Sequence, residues 1–408
     1  MKLNVPMFVL NAGVAAVLGT LANNVTAAEP LSLTLAQSFS HDTNFSRTTT
    51  PQSETISQTD AILALDKPYG RQNYSGSARI GAARFEKNGD KLNSQNYDVS
   101  AGFSSEIASN WLVNLNASAS ENLNPNQNNP TGERVEKNVV SQRDGGLSIQ
   151  YGVLGRWAMI GTASMSRLKY SLASQETLNR EQGSQGLRLT YAPSDLLVFG
   201  LGGTHTQSDY KNLVISGAPE QITQNSIDLT ANWQSTGSSR LNGRLSAVEN
   251  SYRSRPDISL KTFTGRATWT YTPRGLMTYA LTLARSTDSD PNRAGFIDSS
   301  GTLLDRSRDN VTTSAQGNVR WNFTQKVGFG AALGWYKYDI KDAYSGSTTS
   351  INTTDSSHYT TFTLSGDYQY SRAINMGCSA QSYKQTQDYT RVAFDGAYYS
   401  CRASFTID

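Results

Sequence analysis

The chain has 408 residues, a net charge of +3, 37% hydrophobic and 10% aromatic residues, and a mean hydropathy of −0.48. A soluble domain of this length normally carries a larger apolar share to fill its core, and the regular placement of the aromatics argues against disorder. So small a net charge implies no nucleic-acid partner.

The first element is a targeting segment. Lys2 precedes the apolar run VPMFVLNAGVAAVLGTLA, and NNVTAAEP follows. This reads as a secretory signal peptide over 1–28, with small residues before a cut near Ala27 or Ala28. The alternative is an N-terminal membrane anchor, for which the run is short. No cysteine lies near the cut, so a lipoprotein is not expected. No other stretch approaches the roughly 18 apolar residues of a transmembrane helix. Residues 29–408 are therefore expected to leave the cytoplasm without a helical span.

From there the sequence alternates. In NWLVNLNASAS, residues 110–120, Trp111, Val113, Leu115, Ala117 and Ala119 share one face, and the other is mostly Asn and Ser. SIDLTANWQ sets Ile227, Leu229, Ala231 and Trp233 against Ser226, Asp228, Thr230 and Asn232. FTGRATWTY, TSAQGNVRWNF and TFTLSGDYQY repeat the pattern. A period of 2 marks half-apolar strands, and helical periodicity is absent. About eighteen strands are predicted, over 30–41, 56–67, 71–86, 93–105, 110–121, 138–152, 156–170, 180–192, 195–209, 222–235, 239–253, 259–272, 275–288, 309–323, 326–341, 357–371, 373–387 and 392–407.

The connections alternate in length. APSD, TPRG, FTQK and YSRA are short, whereas ENLNPNQNNPTGERVEKN, SDPNRAGFIDSSGTLLDRSRD and KDAYSGSTTSINTTDSS are long and polar. Short periplasmic turns alternating with long extracellular loops are the signature of an outer-membrane barrel. The expected fold is thus an all-β transmembrane antiparallel barrel over 29–408, its apolar strand faces toward outer-membrane lipid and its polar faces toward a watery lumen. An even strand count puts both termini on the periplasmic side. The soluble alternative, a large β-sandwich or β-helix, would bury those apolar faces and need more of them. Trp111, Trp157, Trp233, Trp269 and Trp321 all fall on the apolar face near the short turns, as an aromatic girdle requires.

Chemistry is sparse. His41, His205 and His358 sit near inferred strand ends. His205 with Asp209 would suit a hydrolase, but no G-x-S-x-G nucleophile motif accompanies them. Asp288, Asp290 and Asp298 share a loop, as Ca²⁺ ligands would, yet their spacing departs from the EF-hand pattern. No catalytic residue, metal or cofactor is expected, and an outer-membrane enzyme acting on lipid or surface glycans lacks its catalytic cluster. Cys378 and Cys401 fall on the last two strands with lipid-facing parity and in near register; an oxidising periplasm favours a cross-strand disulfide over two free thiols.

Inward parity assigns Arg79, Arg188, Arg240, Arg244, Arg266, Arg320 and Arg402 to the lumen, most of them in the periplasmic half, with Asp98, Asp144, Asp228 and Asp367. Two readings stay open: a basic wall that favours anionic solutes, or arginines that pair with those acids and stiffen the wall.

The segment LSLTLAQSFSHDTNFSR ends in Asp42, Asn44, Phe45 and Arg47. It resembles the Asp-Asp-Asn-x-Phe-Arg-like motif that closes the first strand of the outer-membrane β-barrel porin 2 family. Thr43 replaces the second Asp, and Ser46 separates Phe45 from Arg47. Members include barrels of exopolysaccharide and capsule clusters. The resemblance implies export of a polysaccharide, with periplasmic export proteins as partners and no catalysis. The alternative is a general or solute-selective uptake porin. The closing SFTID departs from the usual terminal aromatic, though Phe405 and Ile407 keep lipid-facing parity for the barrel assembly machinery. No plug domain precedes the first strand, which argues against a TonB-type receptor.

Overall fold

The computed structural model describes residues 30–124, 136–153, 155–215, 217–273, 275–290, 296–297, 303–345, 350–388 and 392–407. The expected signal peptide and Asp298 lie outside the described residues, as do the side chains of Asp288 and Asp290.

Eighteen strands close into one antiparallel barrel. They are β1 (Leu31–Asp42), β2 (Glu54–Tyr69), β3 (Gln72–Phe85), β4 (Ser94–Ile107), β5 (Trp111–Leu123) and β6 (Val139–Tyr151). Next come β7 (Trp157–Tyr170), β8 (Arg180–Ser194), β9 (Leu197–Ile215), β10 (Ala218–Thr236), β11 (Ser239–Tyr252) and β12 (Arg255–Tyr271). The last six are β13 (Met277–Asp290), β14 (Leu303–Asn322), β15 (Val327–Ser345), β16 (Ser350–Gln369), β17 (Ile374–Gln385) and β18 (Phe394–Ile407). Each strand pairs with its chain neighbour, and β1 pairs with β18 from Leu33 opposite Ile407 to Asp42 opposite Tyr398. Closure leaves no edge, so every strand has a ladder partner on both sides, the condition for backbone to cross lipid. Among the described residues no helix is long and apolar enough to span a membrane; the chain crosses with strands.

Directly opposed residues share a face, so the registers sort the whole barrel. The outward set includes Ile80, Met165, Leu187, Ile227, Phe263 and Leu333, all well exposed to the surroundings. Exposure of large apolar side chains around a full circumference is stable only where the surroundings are lipid. The five tryptophans lie outward at the short-turn end and meet neighbouring rings, Trp111 with Tyr151 at 4.7 Å and Trp157 with Tyr191 at 4.5 Å. Trp321 similarly meets Phe323 and Phe329. Trp335 lies farther up its strand, stacked on His358. The short turns are as tight as residues 108–110 between β4 and β5, where Ala108 (φ 50°) and Ser109 (φ 59°) are both left-handed. Two consecutive positive φ values match the right-handed twist of the flanking strands.

Several strands outrun the sequence reading. β9 and β10 extend to Ile215 and from Ala218, where a longer loop was expected, and β14, β15 and β16 carry their ladders well into the two long loops. Polar residues such as SINTTDSS, 350–357, lack apolar alternation because these strands rise beyond the lipid into water. The alternation that marks a strand in lipid disappears although the backbone ladder continues.

Candidate functional site

The lumen wall is built mainly from Ser, Thr, Asn and Gln. Register with outward neighbours places Ser100, Asn116, Ser118, Ser148, Thr162 and Ser164 inward on one side. Thr230, Thr268, Thr282, Asn318, Thr363 and Ser379 do the same on the other. Many bond laterally, as Ser77 with Ser100 at 2.8 Å and Thr268 with Thr282 at 3.2 Å. The alternation that feeds apolar residues to lipid delivers neutral hydroxyls and amides to the lumen.

All seven arginines expected inward share the inward register. Three are ion-paired. Arg79 bridges Asp60 and Asp98, each at 3.0 Å. Arg244 grips Asp228 at 2.9 Å, and Arg320 holds Asp367 at 2.8 Å. Asp60, almost wholly buried on β2, is a lumen acid that parity reading overlooked. Arg240, Arg266 and Arg402 have no ion pair with a described residue, and Arg188 keeps a buried Nε without a hydrogen-bond partner. Asp144 takes only neutral donors, Ser118 and Gln142. Most of the seven lie in the periplasmic half of their strands, as expected: Arg240 and Arg320 stand next to the short turns, Arg188, Arg244, Arg266 and Arg402 a few residues farther up, and Arg79 at mid-height.

The charges are sorted around the wall. β2–β6 present Asp60, Asp66, Asp98, Glu106 and Asp144 inward against the single Arg79. β8–β12 present Arg180, Arg188, Arg240, Arg244 and Arg266 against Asp228 and the buried Glu220, with Arg244 directly opposite Arg266. The lumen is therefore not uniformly basic. One sector is acidic, another basic, and the field between them runs across the passage.

The extracellular end is different. There the inward faces carry packed apolar clusters: Tyr338, Tyr359, Tyr383 and Phe394; Tyr210, Leu213, Ile222 and Tyr252; Leu168, Tyr170 and Leu178; and Phe45, Ala83, Phe85 and Leu92. The 3-10 turn Ala173–Leu178 and the short helix Gly89–Leu92 bring Leu178 and Leu92 onto these clusters. Side chains stitch the loops. Glu54, fully buried, accepts the backbone N–H of Lys87 and Asn88 at 2.9 and 3.1 Å, and the side-chain amide of Asn88.

The four motif residues lie here. Asp42 ends β1 facing inward, and the 43–53 loop turns back so that Arg47 pairs with Asp42 at 2.8 Å. The Arg47 guanidinium lies 3.8 Å from the centre of the Tyr383 ring, whose hydroxyl donates to Asp42 at 2.5 Å. Asn44 donates to Thr48 O and Asp395 O, while Phe45 packs apart from this network, 5.8 Å from the Phe85 ring. Arg47 and Asp42 are buried. The motif thus pins a loop to the inner wall and leaves little of itself for cargo. Tyr383 and Phe394 were invisible to the sequence reading, because they come from the far end of the chain and meet Arg47 only through barrel closure.

The histidines form no catalytic group. His41 contacts Thr55 at 3.1 Å, His205 contacts Asn225 at 2.7 Å, and His358 stacks on Trp335. Asp209 instead accepts from Gln207 and Gln221. Among the described residues no cluster of His, Cys, Asp and Glu is arranged for a metal. Cys378 and Cys401 sit directly opposite on β17 and β18, both outward, joined by a disulfide with a Cα–Cα distance of 4.1 Å.

No family model and no curated protein matches the sequence. Among solved structures, the chain is similar to a ferric enterobactin receptor variant of Pseudomonas aeruginosa in complex with enterobactin. That match has 10% identity and a TM-score of 0.50 over 94% of this chain and 82% of the other. OccK5 of the same species matches at 12% identity and a TM-score of 0.44, over 92% of this chain and 97% of the other. The siderophore receptor PirA of Acinetobacter baumannii matches at 7% identity and 0.47, over 94% and 81%. These likenesses concern the fold. With a closed ladder, an apolar exterior, an aromatic girdle at the short turns and a polar interior, the chain is a β-barrel of the bacterial outer membrane.

Proposed function

We propose that this barrel is a passage for hydroxyl-rich polar solutes across the outer membrane, and that its cargo is an exopolysaccharide or capsular polysaccharide leaving the cell. The observation that carries this reading is the lumen wall, a lining of neutral hydroxyls and amides in which Arg79, Arg244 and Arg320 are already matched by acids. Such a wall exchanges hydrogen bonds with sugar hydroxyls at little net cost and holds none of them tightly, which suits transit. The resemblance around Asp42 and Arg47 supplies the polymer and the direction. An uptake porin for small saccharides would use the same wall, so the experiment has to separate the two. The reading assigns the protein no catalytic step.

Three measurements test it. Proteoliposomes holding the purified barrel should swell in isotonic neutral oligosaccharide faster than empty ones. In planar bilayers the anion-to-cation permeability ratio should stay within about threefold of unity, and Arg240→Gln with Arg266→Gln and Arg402→Gln should move it toward cations. Deleting the gene should lower cell-surface polysaccharide while leaving growth on oligosaccharides unchanged. Normal surface polysaccharide with impaired oligosaccharide uptake would replace export by uptake. A barrel that passes no sugar in either assay would remove both.

A further inference from the structure

Among the described residues, charged side chains reach the outward face only toward the two ends of the barrel, and at the extracellular end they are unevenly matched. Lys261 has its acid in Glu249 at 3.4 Å, and Lys337 has Asp339 at 2.9 Å. The β6–β9 stretch differs. Arg143 on β6 stands directly opposite Arg167 on β7, with Lys169 one outward position higher, opposite Ser141. Arg167 and Lys211 share the single carboxylate of Glu181, at 3.3 and 2.5 Å. Arg143 and Lys169 are exposed and have no ion pair with a described residue. The nearest other outward acids are Glu121, opposite Ser141 on the far side, and Asp209, opposite Glu181 and occupied by Gln207 and Gln221.

Like charges directly opposed across a ladder repel, and the one carboxylate paired with either arginine, Glu181 on Arg167, is shared with Lys211. The level matters. Arg143 lies eight residues above Tyr151 on β6, about 20 Å higher at roughly 3.3 Å per residue and a strand tilt of about 40°. That is near the top of an apolar band about 25 Å tall. Immediately below the basic patch the outward face is apolar: Met165 is 75% exposed and Leu187 58%. A ligand that fits both features carries phosphate above and acyl chains below.

We propose that Arg143, Arg167, Lys169 and Lys211 form an outward binding site for the phosphate groups of a phosphorylated glycolipid in the outer leaflet. Arginine pairs bidentately with phosphate, and a phosphate bridging Arg143 and Arg167 converts their repulsion into attraction. The acyl chains lie on the Met165 and Leu187 face. The proposal rests on the outward surface and is independent of what passes through the lumen.

Native mass spectrometry of the full-length barrel in detergent, titrated with diphosphorylated lipid A, tests it. The wild type is expected to bind this lipid at least tenfold tighter than the fully dephosphorylated lipid. Arg143→Gln/Arg167→Gln/Lys169→Gln should lose most of that preference, and Arg143→Gln alone should weaken binding severalfold. Lys261→Gln/Lys337→Gln should bind as the wild type does. Heat-modifiable gel mobility identifies any variant that has not folded, and the single Arg143→Gln change then carries the test. Equal binding of the two lipids, or unchanged binding by a folded variant, overturns the proposal. Competition by millimolar inorganic phosphate as effective as that by the lipid would show a free-anion site and overturn the assignment to lipid.

Discussion

Arg244 on β11 donates through Nη2 to both carboxylate oxygens of Asp228 on the adjoining strand, each at 2.9 Å, and through Nε to Oδ1 at 3.2 Å. Asp228 is almost completely buried by this grip, with Thr204 bonding its other side. The pair makes Arg244 part of the wall. Its free basic neighbours are Arg188, Arg240 and Arg266.

Removing one member of this pair should therefore act differently from removing an unpaired arginine. Arg244→Gln leaves the Asp228 charge without its main partner and should push the pore toward cation preference more strongly than Arg266→Gln. Asp228→Asn frees Arg244 and should push it toward anions. Because Arg244 is half exposed to the lumen, the accompanying loss of barrel stability should be small, about 1 kcal/mol or less. Reversal potentials of the three variants in asymmetric salt check the order. Equal shifts for Arg244→Gln and Arg266→Gln would show that the pair does not neutralise Asp228 in the working pore.

The loop pin makes a second prediction. Arg47 holds a left-handed backbone, φ 53°, and its side chain bridges Asp42 and the Tyr383 ring in a buried setting. Non-glycine residues in this region cost of order 1 kcal/mol or more and persist when surrounding contacts over-determine them. Breaking a buried ion pair by removing one partner costs about 3–5 kcal/mol. Arg47→Gln should release the 43–53 loop from the inner wall, seen as protease cleavage within it and as larger, noisier single-channel conductance. Tyr383→Phe keeps the ring under Arg47 but removes the hydrogen bond to Asp42, and should give a weaker form of the same change. Unaltered cleavage and conductance in Arg47→Gln would show that the clusters around Tyr338 and Phe85 hold the mouth without the pin.

The disulfide gives a third. It joins Cys378 and Cys401 across a separation of 23 residues, for which loop-closure entropy corresponds to roughly 3 kcal/mol in the unfolded chain. The ladder between β17 and β18 forms with or without it, so Cys378→Ser/Cys401→Ser should assemble and show heat-modifiable mobility. Its unfolding should shift to lower temperature or denaturant. Maleimide should label the denatured wild type only after reduction. Labelling without reductant would show free thiols.

Much of this architecture is legible residue by residue. The strand period is local. A side chain two positions on must return to the same face, so the alternation of Trp111, Val113 and Leu115 with Asn114 and Asn116 already separates lipid from lumen. The same parity puts the seven lumen arginines inward and the cysteines outward. Turn lengths and the Trp girdle orient the barrel for the same reason, since each depends only on a residue's place along its own strand.

What parity cannot supply is which residues meet. Arg244 finds Asp228, and Arg143 faces Arg167, through register between strands. A one-residue slip in that register would exchange the faces of a whole strand. The sorting of acids to β2–β6 and arginines to β8–β12 exists only once the circle is closed. The loop pin depends on closure most of all: Asp42 and Tyr383 are separated by 341 positions and touch because β1 and β18 complete the barrel. The sequence by itself determined the membrane-facing and lumen-facing surfaces, because those follow from a backbone period of two. Only the tertiary structure decided the ion pairs, the charge sectors and the packed extracellular mouth, because each needs side chains from different strands brought into one register.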